Sequence, residues 1–163
     1  MKKKILILSL SLILISIIVA SFFIINNKVE YGKNAFYIEN NLYNTKDNYE
    51  EINSSTVDKL IKEEKKFVLF TYASFCPFSV PSDEIFKSVF KSNKMKLYAI
   101  SYDKLNNKYV TKKVKYAPSV MIFKKGKIIS YLDAESDKDF NRYQNKKEFR
   151  NWLAKYIYLK KDK

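Results

Sequence analysis

Lys66-Phe-Val-Leu-Phe-Thr-Tyr-Ala73 is a nearly unbroken apolar and β-branched run with no glycine or proline inside it. Such a strand has no face to offer to water and belongs at the centre of a sheet covered on both sides. The flanking patterns supply the cover. Before the run, Ser55 and Asp58 resemble a capping box, and Val57, Leu60 and Ile61 fall at helical spacing. After it, Pro81-Ser82-Asp83-Glu84 reads as a helix start, with Ile85, Phe86, Val89 and Phe90 as its apolar face. Residues 95–102 read as a second buried strand, and Asp103 is positioned to cap a lysine-rich helix running to Val114. Val120-Met-Ile-Phe123, a Lys125-Gly126 turn and residues 127–132 form a hairpin pattern. Phe149, Trp152, Leu153, Tyr156 and Ile157 then repeat at i, i+3, i+4, i+7 and i+8, with Asn145 and Glu148 placed to close the helix at its start. Strands alternating with helices and ending in a hairpin imply an α/β domain with a mixed sheet and helices on both faces.

Composition removes most chemistries. Two glycines in 163 residues leave no room for a dinucleotide fingerprint or a phosphate loop. With no histidine and one cysteine, zinc fingers, a Ser-His-Asp set and a Cys-His pair are all absent, so neither a metal nor a cofactor is expected. Cys76 has no partner for a disulfide within the chain. The net charge of +14 invites a nucleic-acid reading, but only Arg142 and Arg150 are arginines and the lysines are spread through every segment. Arginine is the usual base reader and bidentate phosphate clamp, so the charge reads instead as a solvated lysine surface, with no nucleic acid as partner. What remains is thiol chemistry.

Residues 5–25 are 21 consecutive uncharged residues, mostly Ile and Leu. As a helix they would span roughly 30 Å, the hydrocarbon thickness of a bilayer. Lys2, Lys3 and Lys4 precede them, and positive flanks stay in the cytoplasm, which places the rest of the chain outside it. A cleaved signal peptide, leaving a secreted domain, is the competing reading. Its apolar stretch is usually only about 7–15 residues, and no clean small-x-small pair follows here, so an uncleaved anchor is favoured. The expected organisation is residues 1–25 as cytoplasmic lysines and transmembrane anchor, 26–48 as a tether with one edge strand near Ala35–Glu39, and 49–163 as the folded domain.

The strand ending Tyr72-Ala-Ser-Phe75, followed by Cys76-Pro77-Phe78-Ser79 at the opening of a helix, resembles the active-site turn of the thioredoxin superfamily. Ala117-Pro118-Ser119 before a strand and a glycine-turned hairpin resembles its cis-proline loop. The resemblance runs from about Tyr49 to Leu159, and the two motifs stand in the right order on the right elements. It implies a thioredoxin-like fold, Cys76 as nucleophile, Ser79 as its hydrogen-bonding neighbour, Pro118 in a substrate-positioning loop, and Phe75, Phe78 and Tyr116 along an apolar groove. A thiol near a helix start also faces unpaired N–H groups and the positive end of the dipole, which favour the thiolate. Ser79 occupies the place of the superfamily's second cysteine, so the two-cysteine cycle cannot run within this chain. Phe70 stands where thioredoxin has a buried proton-relaying aspartate, and an apolar neighbour raises a thiol pKa. The implied function is therefore a membrane-anchored extracytoplasmic monothiol protein that forms mixed disulfides with exported proteins and depends on an external thiol or disulfide partner. The alternative is a non-catalytic binding or accessory module of a secretion, bacteriocin or conjugation system.

Overall fold

The computed structural model describes residues 14–17, 29–73 and 82–160, in two units, Met1–Glu30 and Tyr31–Lys163. In the first unit residues 14–17 are helical; the remainder of the expected span at 5–25 lies outside the described residues. Among the described residues no helix is long and apolar enough to cross a membrane.

The second unit is built on a five-stranded sheet. In chain order its elements are β1 (Tyr49–Glu51), α1 (Ser54–Lys62), β2 (Phe67–Tyr72), α2 (Ser82–Ser92), β3 (Leu97–Ser101), α3 (Lys108–Lys113), β4 (Ser119–Lys124), β5 (Lys127–Tyr131), α4 (Asp137–Gln144) and α5 (Lys146–Ala154). The strand order is β1-β3-β2-β4-β5. β1 and β2 both run parallel to β3, whereas β4 is antiparallel to β2 and β5 to β4. The apolar run is the central strand, buried from Phe67 through Thr71. Side chains alternate across a strand. Phe70 accordingly meets Phe86 of α2 edge-on at 5.5 Å, while Phe67 lines a cavity with Leu60 of α1 on the opposite face. Helices therefore cover both faces. α2, α4 and α5 pack together on the Phe70 side, where rings run from Phe86 to Phe149 at 4.4 Å and on to Trp152 at 5.8 Å.

The two glycines answer to different constraints, one to backbone conformation and one to space. Gly126 (φ 67°) follows Lys125 (φ 51°) in the β4–β5 turn, and two successive positive φ values match the twist of a tight hairpin. Gly32 brings its backbone so close to α5 that a Cβ would lie 2.1 Å from the Lys155 carbonyl oxygen.

Several expectations are corrected. Residues 31–48 are no loose tether. Ile38, Leu42 and Tyr43 are buried, and the Gly32 and Phe36 N–H groups donate to Ala154 and Tyr156 carbonyls. Three well-spaced apolar anchors were hidden in a composition dominated by Asn, Lys and Tyr. Ala35–Glu39 forms no edge strand; Phe36 makes an isolated parallel bridge to Ile157, and the edge strand is Tyr49–Glu51. That strand is three residues long and carries Glu50 and Glu51, a short charged edge of the kind that blunts sheet-to-sheet pairing. α1 is capped by Asn53, whose side chain accepts from the Thr56 N–H, rather than by a box at Ser55 and Asp58. Asp103 lies in a 3₁₀ turn (Tyr102–Lys104), and Asn107 caps α3 instead. The terminal helix ends at Ala154; Ile157 is buried through its bridge rather than on a helical face. The Asn145 cap holds, accepting from the Lys147 and Glu148 N–H groups.

Candidate functional site

The C-terminal end of β2 opens into a cleft of about 250 Å³, lined by Tyr49, Glu51, Phe70, Tyr72, Ala73, Ser82, Asp83, Lys87 and Pro118. Three elements and one loop converge there. β1 supplies Tyr49 and Glu51 from the edge, β2 supplies Phe70 and Tyr72, and the first turns of α2 supply Ser82, Asp83 and Lys87. Pro118 enters on the loop before β4, and the Ala117–Pro118 peptide bond is cis, as the sequence led us to expect. The Pro118 carbonyl accepts a 2.9 Å hydrogen bond from the Tyr143 hydroxyl of α4. On the strand side, the Thr71 hydroxyl donates to the Ser119 carbonyl at 3.3 Å, and the Ser119 hydroxyl donates to the Leu132 carbonyl at 2.6 Å. The loop is thus held at Pro118 and at Ser119.

The polar wall is organised in two pairs. The Tyr72 hydroxyl donates to Glu51 Oε1 at 2.6 Å, and this bond, ahead of burial, pushes the phenol up to about 12. Lys87 Nζ lies 3.3 Å from Asp83 Oδ2 and 4.4 Å from the centre of the Tyr49 ring, a cation–π contact. Tyr49 is likewise pushed up to about 12, first by burial and then by Glu51, Tyr72 and Asp83. Burial, then Asp139 and Asp133, raises Tyr143 as well. These phenols are neutral donors at physiological pH. Phe70 is almost fully buried and presents an apolar floor where a carboxylate was absent from the sequence.

Of the residues singled out from the sequence, Pro118 lines the cleft. Tyr116 is 45% exposed and is not part of the cleft wall; Glu135 raises its pKa. Phe75, Cys76, Phe78 and Ser79 lie outside the described residues. The chain positions on either side of them, Ala73 and Ser82, both line the cleft. Sequence reasoning missed Tyr49, Glu51, Tyr72, Lys87 and Tyr143. Lys87 carried a usable signal, four residues after Asp83 on a recognised helix. The others depend on strand pairing and on α4. Among the described residues no group of His, Cys, Asp and Glu is placed to hold a metal ion.

Neither a protein-family model nor a curated protein sequence matches the chain. Similar solved structures include thioredoxin O2 from Arabidopsis thaliana in its oxidised state, at 12% identity, 68% of this chain, 98% of that chain and a TM-score of 0.49. Oxidised thioredoxin from Plasmodium falciparum is similar at 17% identity, 65% and 98% coverage and a TM-score of 0.46. Thioredoxin from Trypanosoma brucei brucei is similar at 15% identity, 64% and 90% coverage and a TM-score of 0.46. The molecule's own geometry carries the fold: a mixed sheet ending in an antiparallel hairpin, helices on both faces, and a cis-proline loop beside the end of the central strand. The fold is thioredoxin-like.

Proposed function

We propose that this thioredoxin-fold chain is a membrane-anchored extracytoplasmic protein that captures exported proteins through the single thiol of Cys76. One observation carries the reading: Ala73 and Ser82, which bracket the Cys76-Pro-Phe-Ser79 motif in the chain, line one cleft with Pro118. Cys76 follows Ala73 by three residues, a covalent reach of roughly 11 Å. The Cys76 thiolate attacks one sulfur of a client disulfide. A new S–S bond forms, the client's bond breaks, and its second sulfur leaves as a thiolate. An external thiol, as its thiolate, then attacks the mixed disulfide and returns Cys76 to the thiolate, because Ser79 has no sulfur with which to do so. An extended client segment is suited to lie along the Pro118 loop, with its backbone paired there. The anchor is supported by the 21-residue apolar run, by Lys2–Lys4, and by residues 14–17, helical with Leu14, Ile15 and Ile17 more than half exposed.

Trapping of client adducts with a thiol-blocking acid quench tests the assignment. Wild-type chain should give adducts that reductant dissolves, and Cys76→Ser should give none. A Ser79→Cys chain should acquire a resolving thiol and measurable insulin reduction. A second reading, a binding module without redox turnover, draws on buried Phe70, which leaves that position without a general base. It predicts a Cys76 pKa at or above the ~8.5 of a free thiol and a Cys76→Ser chain that still binds and supports its clients.

A further inference from the structure

Tyr31 and Tyr37 are each 41% exposed, and both rings rest on Tyr158, at 5.0 and 4.5 Å between centroids. They are held on a fixed seam. Gly32 N–H donates to the Ala154 carbonyl, Phe36 N–H to Tyr156, and Tyr158 N–H back to Phe36. Lys33, Lys155 and Lys160 are exposed on the same two segments, and the backbones of Gly32 and Lys155 touch. The acids of this stretch are Glu30, exposed and next to Tyr31 in the chain, and Glu39, which accepts from the Lys66 N–H at 3.1 Å, so the three exposed lysines face two carboxylates. Exposed phenols beside lysines suit the boundary of an anionic bilayer, with the ring among the acyl carbonyls, the hydroxyl towards water and the ammonium against phosphate.

Chain length names the occupant. The apolar run ends at Ile25, and Tyr31 is the sixth residue beyond it. Six residues reach at most about 22 Å, less than twice the ~14 Å radius of gyration of a domain this size. Tyr31 therefore stays within about 22 Å of a membrane that holds residues 5–25. We propose that the Tyr31–Tyr37–Tyr158 face, with Lys33, Lys155 and Lys160, docks on the anionic phospholipid headgroups of that membrane. The inference rests on the anchor in the proposed function. It has a consequence for the cleft. The seam meets the sheet where Glu39 N–H bonds the Lys66 carbonyl and Lys124 Nζ covers the Phe36 ring at 4.4 Å, the start of β2 and the end of β4. The cleft lies at the other end of β2. Docking presents it outward, to arriving clients.

The test uses the full chain in lipid nanodiscs, with enzymatic iodination of tyrosines from the aqueous side mapped by mass spectrometry. Tyr116, 45% exposed, serves as the internal reference. In phosphatidylglycerol discs, iodination of Tyr31 and Tyr37 relative to Tyr116 should fall about tenfold against phosphatidylcholine discs, and the triple charge reversal K33E/K155E/K160E should restore it. Equal labelling in the two lipids, or protection that survives the triple variant, overturns the docking while leaving the anchor intact. Release of the chain from membranes by alkaline carbonate overturns the anchor and the docking together.

Discussion

Gly32 and Gly126 are the chain's two glycines; Gly32 marks a backbone approach that no other residue permits, and Gly126 a left-handed turn position. Gly32 packs against main chain, which cannot swing aside as a side-chain tip would. Gly32→Ala should cost about 1–3 kcal/mol, the usual range for overpacking, read as a lower urea midpoint with an unchanged slope. Tyr143 makes the second argument at this scale. Its hydroxyl is the donor to the Pro118 carbonyl at 2.9 Å. Tyr143→Phe keeps the ring, 5.7 Å from Phe86, and removes only that bond. We expect a loss of about 1 kcal/mol in denaturant unfolding. On the proposed function, slower adduct formation at Cys76 with an unchanged thiol pKa should accompany it, because the change frees the loop and adds or removes no charge. A thiol pKa that moves with the substitution would count against a purely positioning role.

At the scale of elements, period and turn chemistry made the centre of the sheet legible. The strand at Phe67–Tyr72, the hairpin around Lys125-Gly126 and α2 all follow from strong local patterns. The pieces that escaped are stabilised from a distance. β1 is a strand because its backbone pairs with β3, although Tyr-Glu-Glu has no apolar alternation of its own. α4 is polar along most of its length. It is fixed by Asp139, which accepts from the Asp133 N–H at 2.9 Å and pairs with Arg142. The cleft was half legible for the same reason. Pro118 announced itself by its neighbours, whereas Glu51 and Tyr72 meet only because β1 and β2 flank β3. The docked segment 31–48 supplies the prediction here. Tyr43 is 6% exposed; its hydroxyl donates to the Tyr158 carbonyl at 2.7 Å and accepts from the Ile38 N–H at 3.2 Å. Burial, the largest cause, pushes its phenol up to about 12. The folded state thus holds this proton more tightly than the unfolded chain does. The corresponding stability is complete below pH ~10 and is lost as pH rises towards 12, about 2–3 kcal/mol in all. Tyr43→Phe should lower stability at pH 7 by about 1–3 kcal/mol, since the Ile38 N–H loses its acceptor, and should flatten the fall between about pH 10 and 12. A variant with an equally steep alkaline fall would show that other phenols, Tyr49 or Tyr143, carry the effect.

For the whole molecule, the question is where the cooperative unit begins. The contrast between an apolar strand run and an Asn/Lys/Tyr-rich leader places that boundary near Tyr49 in the sequence, yet the compact unit starts at Tyr31. Ile38, Leu42 and Tyr43 are buried against the rest of the domain. Burying a large apolar side chain is worth about 1.5–3 kcal/mol, so three contribute roughly 5–9 kcal/mol. Backbone bonds from Thr45 to Lys94, Lys96 to Leu42 and Leu97 to Asn48 tie the same segment to the entrance of β3. A domain of this size is stable by only about 5–15 kcal/mol in total. A chain that begins at Tyr49 therefore gives up most or all of its margin and exposes the apolar surface on which the segment sat. We expect it to show no cooperative thermal transition by circular dichroism and to bind a hydrophobic dye. A chain that begins at Val29, by contrast, should melt in one transition at the temperature of the full-length protein. If the chain beginning at Tyr49 instead melted cooperatively within a few degrees of the longer one, residues 31–48 would be a tether after all, and the seam that carries Tyr31 and Tyr37 would add nothing to the stability of the fold.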